Sequence, residues 1–153
     1  MKGRTVASVL RQVEEWHKEL GREENQPTIT WRHSPLKEFQ FIEGNEILGN
    51  MKAWTITEIL TSRMLFLEGQ AMRHCVASYK EDCVRRQVSI WSMQVETQRG
   101  QQRALTIEVN MPKRTICQVR GKCNRLPGAN ERAIVERWAA VEGLNVVEAL
   151  RSY

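Results

Sequence analysis

Three β-rich runs, QVSIWSMQVE (87–96), RALTIEVN (103–110) and RTICQVRG (114–121), constrain this chain more than any other feature. Each is dense in β-branched and aromatic residues, and only TQRGQQ and MPK separate them. Links of that length between such runs predict antiparallel hairpins. In ALTIEV, Leu105, Ile107 and Val109 alternate with Thr106 and Glu108, giving one apolar and one polar face. By the same rule Ile116, Gln118 and Arg120 share a face of the third run.

Helical spacing frames this meander. Val6, Val9, Leu10, Val13, Trp16 and Leu20 predict an amphipathic N-terminal helix ending at Gly21. EFQFIEGNEILG reads as a short strand, a Gly-Asn turn and an extended return. In TITEILTSRMLFLEG, Thr55 and Glu58 have capping-box spacing ahead of Ile59, Leu60 and Met64, so a helix is expected to about Leu67, closed by Gly69. A second helix is expected from about Met72 to Gln87. Asn130 is expected to cap a further helix with Ala133, Ile134, Trp138 and Val141 inward and Gly143 at its end, followed by a short strand in LNVVEAL. The expected fold class is α+β: a three-stranded antiparallel meander flanked by helices, with an N-terminal helix and short hairpin. Residues 1–53 would pack on a main domain of 54–153.

At 153 residues the chain suits a single core, and its 41% hydrophobic and 27% charged content fits a globular protein rather than a disordered one. No apolar run approaches the roughly 20 residues of a membrane helix, and the N-terminus turns polar too early for a signal peptide. A cytoplasmic protein with no membrane partner is expected, its four cysteines (75, 83, 117 and 123) reduced.

Charge is unevenly placed. Residues 73–137 hold 13 Lys and Arg against 6 Asp and Glu, net +7, while the flanking segments are each net −1. An Arg-rich segment of that charge suits a phosphate-bearing partner, so Arg73, Arg85, Arg86, Arg120, Lys122 and Arg125 are candidate contacts to nucleic acid or a nucleoprotein complex.

The stretch EGQAMRHCVASYKEDC sets His74 beside Cys75. Structural zinc needs ligand pairs of the type C-x₂₋₄-C, which do not occur, and Cys75 and Cys83 on one helix would lie roughly 12 Å apart. No metal site is expected. A Cys75 nucleophile would need a base, yet His74 points about 100° away around a helix and no histidine follows it. Cys75 therefore reads as packing. His74, Tyr79, Glu108, Gln118 and Arg120 form a candidate pocket, weighed against a solvated sheet face with a Glu–Arg pair. The order helix, meander, helix, strand resembles the PD-(D/E)xK nuclease core, with Glu108 as first acid and Gln118-Val119-Arg120 in place of the acid-x-Lys. That resemblance implies magnesium and phosphodiester cleavage, but Gln is a neutral ligand and Arg cannot act as a base. The order is also similar to a double-stranded-RNA-binding domain, whose lysine run is replaced here by the alternating charges of ANERAIVERW. A protein-docking module with Trp54, Trp91 and Trp138 partly exposed is a third reading.

Taken together, EGQAMRHCVASY, SIWSMQ, ALTIEV, CQVRGKCNRLP and RWAAVEGL resemble the PcfJ-like family over about residues 54–145. The matching positions are Gly69, Met72, His74, Cys75, Val76, Tyr79, Ser92, Thr106, Glu108, Gln118, Arg120, Gly121 and Asn124. The resemblance implies a bacterial conjugative-plasmid or mobile-element context, without fixing an activity.

Overall fold

A computed structural model describes residues 28–73 and 79–147. One six-stranded sheet runs in sequence order: β1 (Phe39–Glu43), β2 (Lys52–Glu58), β3 (Val88–Thr97), β4 (Gly100–Asn110), β5 (Thr115–Arg120) and β6 (Asn145–Val146). The first five strands pair antiparallel, and β6 joins parallel to β5. Helices α1 (Ser62–Met72), α2 (Lys80–Val84) and α3 (Ala129–Glu142) and a 3₁₀ turn at Lys122–Asn124 complete the described residues. None of these helices is long and apolar enough to cross a membrane.

This overturns the expected fold class. The three-stranded meander is the middle of a larger mixed sheet, and the molecule is mostly sheet rather than a small sheet framed by helices. The decisive misreading falls on residues 55–58, expected to start a helix and found in β2. Trp54, Ile56 and Glu58 are buried while Thr55 and Thr57 are half-buried, a period of two, and three successive β-branched residues suit a pleated strand. The helix starts one turn later, where Thr61 Oγ1 accepts the Met64 N–H at 3.0 Å. Gly69 does not end it. Gly69 is buried within α1, and Arg73 closes the helix in the left-handed conformation, its N–H bonded to the Gly69 carbonyl. Of the second helix expected over 72–87, the described residues contain only the C-terminal end of α1 and the short α2. The expected N-terminal helix lies outside the described residues.

Elsewhere the pattern holds with local shifts. After β1 the expected extended return is a turn, and the β3–β4 hairpin closes on Gln98 and Arg99 alone, ahead of Gly100 at φ +117°. Gly128, not Asn130, precedes α3, and its N–H is accepted by Glu131 Oε1 at 2.8 Å. Asn130 instead donates to Glu43 Oε1 at 3.0 Å. The buried stripe of α3 is Ile134, Val135, Trp138 and Ala139, leaving Ala133 and Val141 outward. Gly143 closes α3 at φ +69° and β6 follows, both as expected.

The main core lies between one sheet face and α3. Trp54, Trp91, Leu105, Ile107, Ile116 and Val119 pack there with Trp138, whose ring centroid is 4.7 Å from that of Trp91. Trp54, Trp91 and Trp138 are at most 4% exposed, so these three are core and not a docking surface. A smaller cluster of Ile59, Leu65, Cys83 and Ile90 lies under α1 and α2.

Candidate functional site: a polar sheet face under α1

The face opposite the main core is polar. Strand register aligns Thr57, Ser92, Thr106 and Arg120 in one row across β2 to β5, and sets Glu108 opposite Gln118 in the adjoining row. Alternation along each strand puts these side chains on the side away from Trp91, Ile107 and Val119. From above, α1 lowers Glu68 onto the row. Its carboxylate, 1% exposed, accepts from Ser92 Oγ at 3.0 Å, Thr106 Oγ1 at 2.5 Å and Arg103 Nε at 2.9 Å. A buried carboxylate needs such donors to offset its lost hydration.

The second row is shaped by a bulge. Glu108 pairs with Gln118 and Val109 with Ile116, so Cys117 is an extra residue in β5. The bulge turns Ile116 into the main core, contrary to the alternation that would place it beside Gln118 and Arg120. It also brings Cys117 Sγ to 2.8 Å from Glu108 Oε2, where the thiol donates. Burial and then that carboxylate push the Cys117 thiol up to about 12. Tyr79, just ahead of α2, donates to Gln118 Oε1 at 3.5 Å, a long and weak bond. Burial first and the nearby Glu108 second push its phenol to about 12 as well. Glu108 Oε1 is buried with no hydrogen-bond partner among the described residues.

Four of the five pocket residues expected from sequence, Tyr79, Glu108, Gln118 and Arg120, thus come from α2's approach, β4 and β5 onto one face. His74, Cys75 and Val76 lie outside the described residues. Arg120 is half-buried and donates to the Val119 carbonyl at 2.9 Å. Sequence reasoning missed Glu68, Arg103 and Cys117. Glu68 had a visible signal: it falls three residues after Leu65 and four before Met72, on the buried face of a helix, where an acid is out of place. Cys117 had none, because a bulge is invisible to period-two counting.

The cations divide into two groups. Arg73, Arg85, Arg86 and Lys122 are exposed and form no ion pair among the described residues. Arg125 is committed elsewhere: it donates twice to the Glu131 carboxylate, at 2.8 Å each, and to the Ala104 carbonyl at 3.3 Å. It lies across Gly121, where an added Cβ would be 2.6 Å from Arg125 Nε and Cζ. Gly121 therefore answers to close approach, not to an unusual φ.

Magnesium does not fit this face. Glu68's oxygens are engaged, Glu108 and Gln118 offer too few oxygens, and Arg120 adds positive charge beside them. Among the described residues no three His, Cys, Asp or Glu side chains group to hold any metal.

A family model described as PcfJ-like protein matches residues 8–135. The chain belongs to the PcfJ-like family. Comparison with curated proteins and with solved structures gave no match. Within this PcfJ-like chain, the motif positions Tyr79, Ser92, Thr106, Glu108, Gln118 and Arg120, scattered over 42 residues of sequence, meet on one sheet face.

Proposed function

We propose that this PcfJ-like domain binds nucleic acid, alone or within a nucleoprotein complex of a bacterial mobile element. The observation that carries the reading is the set of exposed cations, Arg73, Arg85, Arg86 and Lys122, drawn from the +7 segment and left without acidic partners among the described residues. Such cations bind phosphates, release condensed counterions and make affinity fall with salt. Arg125, tied to Glu131, serves as a fold clamp in this reading, and half-buried Arg120 belongs to the polar face. The test is alanine substitution at Arg73, Arg85, Arg86 and Lys122, read by fluorescence anisotropy with labelled DNA and RNA. Each change weakens binding by a similar factor whatever the base sequence, because phosphate contacts carry no sequence information. Wild-type affinity in the fourfold variant refutes the assignment.

A second reading is favoured by one observation: Tyr79, Glu108, Gln118 and Arg120 share a face on which the buried Glu108 Oε1 has no hydrogen-bond partner among the described residues. In that reading the face is a pocket acting on the phosphodiester backbone. Cleavage of end-labelled strands by the wild type and not by Glu108→Gln supports it. Equal behaviour of the two proteins removes it.

A further inference from the structure

A cleft away from the polar face shares Arg86 with the first reading and is otherwise used by neither. Its volume is about 170 Å³, well below the ~300–1,000 Å³ of sites for drug-sized ligands, so it suits one flat ring system. Trp31, Val88 and Met111 supply apolar wall, and Arg32, His33 and Arg86 are exposed around it. The wall is fixed in advance. Trp31 Nε1 donates to the Ile59 carbonyl at 3.0 Å, and the Ser34 N–H and hydroxyl both donate to the buried Glu58 carboxylate, at 2.9 and 3.1 Å. Arg86 takes φ +61° as the left-handed residue that closes α2, with its N–H on the Cys83 carbonyl and the Gln87 N–H on the Asp82 carbonyl, and this cap fixes where its side chain leaves the backbone at the cleft rim.

We propose that this cleft receives one unstacked nucleobase together with its phosphate, the base against Trp31 and the phosphate among Arg32, His33 and Arg86. The inference rests on the nucleic-acid reading and narrows it: a base is available for insertion in a single strand and not in an intact duplex. Charge complementarity selects the occupant: Arg32 and Arg86 border a slot walled by Trp31, Val88 and Met111, and the Glu58 carboxylate that also lines it is already held by Ser34.

The experiment compares the full chain with Arg86→Gly and Arg32→Ala, using a labelled 12-nucleotide single strand, the matching 12-base-pair duplex and a free mononucleotide. Arg86→Gly suits its backbone conformation, so lost binding is not lost folding, and circular dichroism verifies this. The expected result is tighter binding of the single strand than of the duplex, a preference lost in both variants. The log-affinity against log-salt slope for the single strand also falls by about 0.7 with Arg86→Gly, the value for one phosphate contact. Saturable mononucleotide binding, abolished by Arg86→Gly, supports the cleft and shows that one nucleotide suffices. Equal affinity for strand and duplex with both variants unchanged in preference overturns the inference while leaving the general nucleic-acid reading intact. Failure of the wild type to bind any of these probes overturns both.

Discussion

Replacing Glu68 tests whether the polar face is a built network or an accident of strand alternation. The carboxylate is 1% exposed and takes three donors, of which Ser92 is 4% exposed and Arg103 is 39% exposed at its side chain. Glu68→Ala strips two buried hydroxyls, Ser92 Oγ and Thr106 Oγ1, of this acceptor; Thr106 has a further interaction, so Ser92 sets most of the cost, at about 1–3 kcal/mol for a buried orphaned donor. Arg103 can turn to water, so its share is small. The vacated space adds about 1 kcal/mol, for a total of about 2–4 kcal/mol out of the roughly 5–15 that hold a domain together. Glu68→Gln keeps the volume and one acceptor oxygen and should cost about half as much. Urea denaturation followed by tryptophan fluorescence reports the loss, because Trp91 and Trp138 are fully buried. With a slope near 2 kcal/mol/M, the Ala variant's midpoint falls by about 1–2 M. In Ser92→Ala the orphaned donor is already gone, so adding Glu68→Ala costs about 1 kcal/mol less than it does alone. A stability change within the ±0.5 kcal/mol typical of surface changes, for both Glu68 variants, would show that this carboxylate is not a keystone of the fold.

Gly121→Ala forces the Arg125 side chain off its bed and should cost about 1–2 kcal/mol by the same assay; an unchanged midpoint would mean Arg125 finds an equivalent pose. In Glu131, burial alone would raise the carboxyl pKa, but bonds from Arg125 and the Gly128 N–H outweigh it and hold the value below 4.5. Stability from Glu131 is therefore present above pH 4.5 and lost as the pH falls through its lower folded value, so Glu131→Gln should flatten the acid limb of stability against pH, and an identical limb would contradict this. Burial, the main cause in both, pushes the Cys83 and Cys117 thiols up to about 12, so at pH 8 a thiol reagent should label exposed Cys123 well before either, as read by peptide mass spectrometry. Equal labelling of Cys117 and Cys123 in the folded protein would count against the Cys117–Glu108 contact.

The legible part of the fold was the part marked by composition and short links. β3, β4 and β5 were readable because their runs are dense in β-branched and aromatic residues and closely spaced, with Leu105, Ile107 and Val109 alternating cleanly in β4, and Gly143 marked the end of α3 by its left-handed tendency. β2 was not readable because Thr55 and Glu58 mimic a capping box, and only pairing with β1 and β3 decides in favour of the strand. Tertiary partners override a local signal of that strength. The candidate site shows the same division. Glu108, Gln118 and Arg120 could be placed together from strand periodicity, yet the role of Cys117 depends on a one-residue bulge. Arg125 looked like a surface cation until its glycine bed and its acidic partner were seen together.

The most direct test of the account is the salt dependence of nucleic-acid affinity for the intact chain, measured between 50 and 200 mM monovalent salt. Four exposed cations, each neutralising one phosphate, predict a log–log slope of about −3 on a single strand and slightly steeper on a duplex. A flat slope, or no measurable binding at 50 mM, would contradict the assignment of Arg73, Arg85, Arg86 and Lys122 to phosphate.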